Sequence, residues 1–355
     1  MANGVATLED VANLASVCKS TASRILAVKS GAKLPFSVKT QEKVRNAANM
    51  LGYKPSKLAR GLTQSKTGIV GLVIPSVKDS FFPSVTTIIE SLLARSGYNV
   101  ILSNTDGDST VERAKIEELL SWRVDGLIVA PSQQSGDAGL FWDLWRSKVP
   151  FVLIDRLYPE TPFSSVTTDD KAGGVMAVEH LLSIGRKRIA WVGGSLLVST
   201  NRQRHVGYTE ALVRAGKVPD PHYAVEVSSS EEGGRAGFAR MLDMQPHPDA
   251  AFCSSDPIAI GLMQACQEHG VRVPEDLAIV GYADLHYSGL LRIALTTVRQ
   301  PRQQLGEQAA ELLLHKMEGD GNHDTPPLPV ELIVRESTVP QPPDALRAGH
   351  GSIIW

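Results

Sequence analysis

The chain has 355 residues, 43% hydrophobic and 21% charged, enough for two or three domains with substantial cores. Its formal charge of −2 hides a division: residues 1–66 carry 11 Lys and Arg against 3 acids, and the rest carries 25 against 35. No apolar stretch approaches the roughly 18 residues of a membrane span, the first five residues lack the pattern of an export signal, and three cysteines without metal-ligand spacing point to a reducing cytoplasm rather than a disulfide framework.

A basic module on an acidic body is the electrostatic footprint of phosphate-backbone binding. Its first element opens at Thr7, with Asp10 three residues on as a capping pattern, and Leu8, Val11, Ala12 and Ala15 follow helical spacing. After a short turn at 17–20, a second helix over about Lys19 to Leu26 keeps Ala22, Ile25 and Leu26 for the core. Lys19, Ser20, Thr21, Ser23 and Arg24 are left polar, as on a recognition helix that enters a major groove. Arg24 is the candidate for bidentate contact to guanine, and Ser20 and Thr21 for bases or phosphates. Ser37 begins a third helix, roughly Val38 to Leu51, in which Val44, Ala47, Ala48 and Leu51 close a three-helix core, and Gly52 ends the helix.

From Gly68 onward, short β-branched runs alternate with amphipathic stretches. Strands are expected at 68–75, 99–103, 125–130, 151–155, 189–192, 224–227, 251–253 and 277–281, with helices at about 83–96, around Glu112 to Leu120, at 172–184 and at 203–215. Continuous apolar strands alternating with helices imply parallel sheets covered on both faces. So many units exceed one comfortable sheet and favour two lobes, with a ligand between them at the carboxyl ends of the strands.

The stretches 7–12, 17–24, 51–55 and 58–62 (Leu58-Ala59-Arg60-Gly61-Leu62) resemble the lactose-repressor (LacI/GalR) family. Further along, 123–128, Ile154-Asp155-Arg156, 180–190 and 294–301 do the same. The resemblance implies an α/β protein: a helix-turn-helix head over 1–56, a hinge helix and linker over 57–67, and a two-lobed periplasmic-binding-protein-like (type I) domain with parallel sheets over 68–339. The lobes would comprise about 68–167 plus 300–328 and about 168–299 plus 329–339. The Pro- and Gly-containing segment 340–355 reads as a flexible tail. In the family, residues matching Lys19, Ser20 and Arg24 read bases, and the one matching Thr21 holds the backbone. The one matching Leu62 is a minor-groove wedge that kinks the duplex. The same carry-over puts Thr7, Ser23, Ser37, Tyr53, Ser56 and Ala59 at the DNA. Three departures stand out: Cys18 replaces the usual Ser cap, the 27–36 connection is about four residues longer, and Gly61 weakens the hinge helix by roughly 1 kcal/mol relative to Ala.

For the effector site, Phe81 or Phe82 would stack on a ring face, unless both belong to the core. Asp155 and Arg156 end a strand, Arg204 matches the family's principal effector arginine, and Ser255-Asp256 matches an Asn-Asp pair. Ser132 and Asp284 complete the expected set. Ala283 stands where the family commonly has an effector-binding acid. Either loop packing explains Ala283, or its loss of charge beside Arg204 and Arg156 favours an anionic effector such as a sugar acid over a neutral sugar. The implied protein is a regulator, expected to be a repressor, that binds a palindromic operator as a homodimer under control of a sugar or sugar acid, with no cofactor or metal. An exported sugar-binding protein of the same fold is the alternative, but it leaves the basic head without a role. An enzyme is disfavoured because Ser195 lacks the Gly-x-Ser-x-Gly context and no Walker-type phosphate loop occurs. The sign of regulation stays open, as inducer or corepressor.

Overall fold

A computed structural model of the chain describes residues 6–27, 34–54, 66–78, 80–134, 136–319 and 325–339. The expected hinge helix, with Ser56, Ala59, Gly61 and Leu62, the tail over 340–355 and most of the 27–36 connection lie outside the described residues. The chain divides into two units, residues 1–68 and 69–355.

The first unit contains α1 (Leu8–Leu14), α2 (Lys19–Leu26) and α3 (Val38–Met50). Thr7 and Asp10 form the capping box: Asp10 N donates to Thr7 Oγ1 at 3.2 Å, and Thr7 N donates to Asp10 Oδ2 at 2.8 Å. Ser16, at φ 53°, turns the chain into α2. Val11, Ala12, Ala15, Ala22, Ile25, Val44, Ala47 and Ala48 form the core that all three helices share. Leu51 is not part of it. It caps the C-terminus of α3, is 37% exposed, and precedes the left-handed Gly52 that ends the helix.

The second unit is an α/β domain with two sheets. The first has the strand order β2 (Asn99–Asn104), β1 (Ile69–Ile74), β3 (Gly126–Val129), β4 (Phe151–Ile154), β5 (Ser165–Val166), all parallel. Helices α4 (Phe81–Arg95), α5 (Ser109–Ser121) and α6 (Gly139–Arg146) join these strands. The second sheet has the order β11 (Glu331–Ile333), β10 (Thr296–Arg299), β9 (Ala278–Ala283), β8 (Ala250–Cys253), β6 (Ile189–Gly193), β7 (Ala224–Glu226). It is parallel apart from β11, which pairs antiparallel with β10. Its helices are α7 (Asp170–Ser183), α8 (Ser199–Arg214), α9 (Glu231–Leu242) and α10 (Asp256–Glu268). α11 (Arg302–Glu318) follows β10 yet packs on α4, β3 and β4 of the first sheet, so the chain passes between the lobes more than once. Two of these passes touch, where Thr168 bridges Leu328 and Asp169 N donates to Leu328 O at 2.9 Å.

Several helices start earlier than the sequence expectation, α5 at Ser109 and α7 at Asp170 among them, and two of these starts bear on the site. α4 begins at Phe81, two residues before Pro83, and α8 begins at Ser199, four before Gln203. Neither start has a side-chain cap to announce it. Arg204 consequently sits in the second turn of α8 rather than its first. The α7–α8 contact is a close one. A Cβ on Gly174 would lie 2.3 Å from Arg204 O, and one on Gly207 would lie 2.2 Å from Lys171 O. Only glycine permits that approach.

Candidate functional site

In the first unit, Ala22 and Ile25 anchor α2 in the core and turn its other side outward. Lys19, Ser20, Ser23 and Arg24 are exposed and Thr21 is half-buried, so one face presents the five residues expected to meet DNA. Lys19 Nζ lies 3.3 Å from Glu9 Oε2 on α1. Exposed pairs of this kind contribute little to stability and yield readily to phosphates. Thr7 and Ser37 spend their hydroxyls as helix caps, and Tyr53 packs half-buried against the three-helix core. Cys18 makes no side-chain cap bond to the α2 amides; its thiol instead meets Ser20 Oγ at 3.1 Å and Thr21 Oγ1 at 3.0 Å. Those hydroxyls pull the exposed thiol down to about 7 from its usual 9.0.

In the second unit, a cavity of about 100 Å³ lies between the sheets at the carboxyl ends of their strands. Phe81 and Phe82 form one wall from the first turn of α4, edge to face with ring centroids 5.1 Å apart. Both also belong to the core of the first lobe. Asp155 follows β4 in a left-handed conformation, φ 66°, which turns its carboxylate inward, where Gln300 Nε2 donates to Oδ1 at 3.2 Å. Arg156 contributes a second charge to the wall; its Nη1 donates to Pro131 O at 2.9 Å, and its Nε lies 3.8 Å from Asp155 Oδ2.

Arg204 enters from the other lobe and is buried. Its Nε donates to Asp170 Oδ1 at 2.8 Å, its Nη1 donates to Ser254 O at 2.7 Å, and its Cζ lies 3.7 Å above the Tyr282 ring. Burial alone would lower the guanidinium's pKa, but the carboxylate of Asp170 outweighs it and keeps Arg204 charged. Burial lifts Asp170 in turn. The wall therefore carries Asp155 against Arg156, with Arg204 neutralised from behind by Asp170. This balance removes the electrostatic ground for preferring an anionic effector. Ser255 Oγ is buried at the cavity without a hydrogen-bond partner among the described residues, a polar group left for a ligand.

Three expected effector residues lie outside the cavity lining. Ser132 gives both its N–H (2.7 Å) and its hydroxyl (3.1 Å) to Glu112 Oε2. Asp256 is fully buried and accepts from Leu285 N at 2.8 Å, Ser288 Oγ at 2.6 Å and Thr297 Oγ1 at 2.6 Å. Asp284 is clamped by Arg299 Nε and Arg335 Nη2, each at 2.7 Å. These oxygens hold the scaffold. In their place the cavity includes Thr200, Asn201, Ser229, Tyr282 and Gln300, which sequence reasoning did not select. The polar run at 199–201 and the Gln300-Pro301 pair were the available signals. Among the described residues no cluster of His, Cys, Asp and Glu could hold a metal ion.

Two family profiles match: bacterial regulatory proteins, lacI family, over residues 7–56, and the periplasmic binding protein-like domain over 178–338. The ribose operon repressor of Haemophilus influenzae is 32% identical across 94% of this chain and 98% of its own. The chain belongs to the LacI family of bacterial regulatory proteins. A second relative, the HTH-type transcriptional repressor PurR of H. influenzae, is 33% identical over 94% of this chain and 98% of its own. Among solved structures, the Lac repressor dimer bound to operator and an anti-inducer has a TM-score of 0.81 at 28% identity, covering 94% of this chain and 99% of that one. The CelR–cellobiose complex gives 0.71 at 29%, covering 94% and 99%. This LacI-family protein is thus a DNA-binding transcriptional repressor, and the helix-turn-helix and two-lobed expectations hold. Among the described residues no helix is long and apolar enough to cross a membrane.

Proposed function

We propose that this LacI-family repressor acts in the cytoplasm as a homodimer on a palindromic operator and is controlled by a small sugar-type effector in the interlobe cavity. Lys19, Ser20 and Arg24 would read base edges in the major groove, with Thr21 and Ser23 on the backbone and Thr7, Ser37 and Tyr53 flanking them. Ser56, Ala59 and Leu62 would serve the hinge, Leu62 as the minor-groove wedge. One helix-turn-helix makes few phosphate contacts, so a second copy supplies affinity through effective concentration and half-sites one helical turn apart.

The observation that carries the effector reading is the cavity itself: a ring-sized slot with an aromatic wall, the open hydroxyl of Ser255, and charges that cancel. Such a lining suits a neutral polyhydroxylated ring better than an anion. Asp155, Arg156, Arg204 and Ser255 would bond its hydroxyls while Phe81 and Phe82 cover its face. The ribose and cellobiose named for relatives point the same way. The test is fluorescence anisotropy of the full chain on fragments of its own promoter region, titrated with salt and with aldoses, sugar acids and nucleobases. Salt-sensitive binding altered by a neutral sugar supports the reading. Response to a sugar acid alone would overturn the effector assignment, and failure to bind any duplex would overturn the regulator assignment.

A further inference from the structure

We infer that the N-terminal lobe carries a second ligand site, a pocket for a small organic ammonium ion between α5 and α6. The pocket has about 310 Å³ and shares no lining residue with the interlobe cavity. At its wall stands Glu112, on the inward face of α5 and only 3% exposed. A carboxylate this buried is ordinarily paired with a cation. Here Oε2 takes both hydrogen bonds, from Ser132 N and Ser132 Oγ, and Oε1 receives none among the described residues. Half of the group's acceptor capacity is therefore unused inside a cavity.

Neither neighbouring cation hydrogen-bonds Glu112 among the described residues. Arg113 reaches the rim but is half-exposed, with Nη1 3.9 Å from Glu117 Oε1. Arg156 lies within electrostatic range of Glu112, yet its Nη1 is given to Pro131 O and its side chain lines the other cavity. Two rings complete the wall, Phe141 and Tyr158, with centroids 5.3 Å apart and planes tilted by 44°. A second, exposed carboxylate, Asp137, whose Oδ1 accepts from Gly139 N at 2.8 Å, lines the same pocket. A buried carboxylate, aromatic faces and a second acid in one pocket form a receptor for an alkylammonium, held by charge-assisted hydrogen bonds and cation–π attraction. Two acids suggest a short diamine.

The test is calorimetric titration of the full chain with 1,4-diaminobutane, and with 1,4-butanediol as its uncharged counterpart. The diamine is expected to bind saturably and the diol not at all. Glu112→Gln, which keeps an acceptor for Ser132, should weaken the diamine at least tenfold, and Asp137→Lys, at the exposed acid, should weaken it severalfold even if the first variant folds poorly. Absence of saturable diamine binding, equal binding of the diol, or equal affinity in the wild type and both acid variants would each overturn the assignment.

Discussion

Replacing Asp170 by Asn leaves Arg204 buried with its charge uncompensated. At the 2.8 Å separation of the pair, Coulomb attraction at an effective dielectric of about 20 is about 6 kcal/mol. Desolvation of both groups offsets part of it, and loss of one partner from a buried pair costs about 3–5 kcal/mol. Asn can still accept from Arg204 Nε, which puts Asp170→Asn near the lower end. Urea unfolding followed by far-ultraviolet circular dichroism, at an unchanged m-value, measures the loss. The double variant with Arg204→Gln should lose less than the sum of the singles, by about 2 kcal/mol. The same substitution gives the cavity one net positive charge, so affinity for a sugar acid should rise relative to its neutral aldose, about tenfold for 1.4 kcal/mol. If the two single losses add within about 0.5 kcal/mol and the acid gains nothing, Asp170 does not neutralise Arg204 and the case for an uncharged effector fails.

Other expectations are independent of this pair. Arg24→Ala should relax base preference at one position per half-site, by about 1–3 kcal/mol, read from competition between operator variants at fixed salt. Gly207→Ala would put a methyl 2.2 Å from Lys171 O, so the urea midpoint should fall by the equivalent of about 1–3 kcal/mol or more, with effector affinity reduced as α8 is displaced. Brief iodoacetamide treatment at neutral pH, followed by peptide mass spectrometry, should label Cys18, whose thiol sits at about 7, before the buried Cys253 and Cys266, both pushed upward by burial. Burial also raises the Glu112 carboxyl above its usual 4.5. The folded state thus holds that proton after the unfolded chain has released it, and the group's contribution to stability falls as pH rises through that window. Relative to wild type, Glu112→Gln should gain stability as pH rises above the ordinary carboxylate range; a pH-independent difference would contradict the shift.

The head was legible because its signals are local. A capping Thr three residues before an acid, apolar spacing of three and four, and Gly52 as a stop all act within a turn or two of where they stand. Most of the body's strands were legible for the same reason, as apolar runs, whereas the short β5, β10 and β11 were not expected. Helix starts at Ser80–Phe81 and Val198–Ser199 were missed because no side chain there caps the helix. Phe81 and Phe82 were both candidates, although adjacent residues rarely face one cleft, and the first turn of α4 brings both to it. The fate of Asp256 and Asp284 was not legible either. Their partners Ser288, Thr297, Arg299 and Arg335 arrive from 15 to 51 positions away, and no local pattern distinguishes a carboxylate aimed at a ligand from one that ties strands together. Asp170, 34 positions from Arg204, changed the expected charge of the cavity in the same way.

The glycine seam between α7 and α8 has a mechanical consequence. Because these helices meet backbone to backbone at Gly174 and Gly207, and Val178 and Tyr208 pack in one cluster beside them, they would move as one slab. Arg204 projects from one edge of that slab. At another edge lies the first turn of α7, next to the Thr168–Leu328 joint where two strands of traffic between the halves meet. A tug on a single guanidinium is thereby carried, with little loss, to the place about which the halves would pivot.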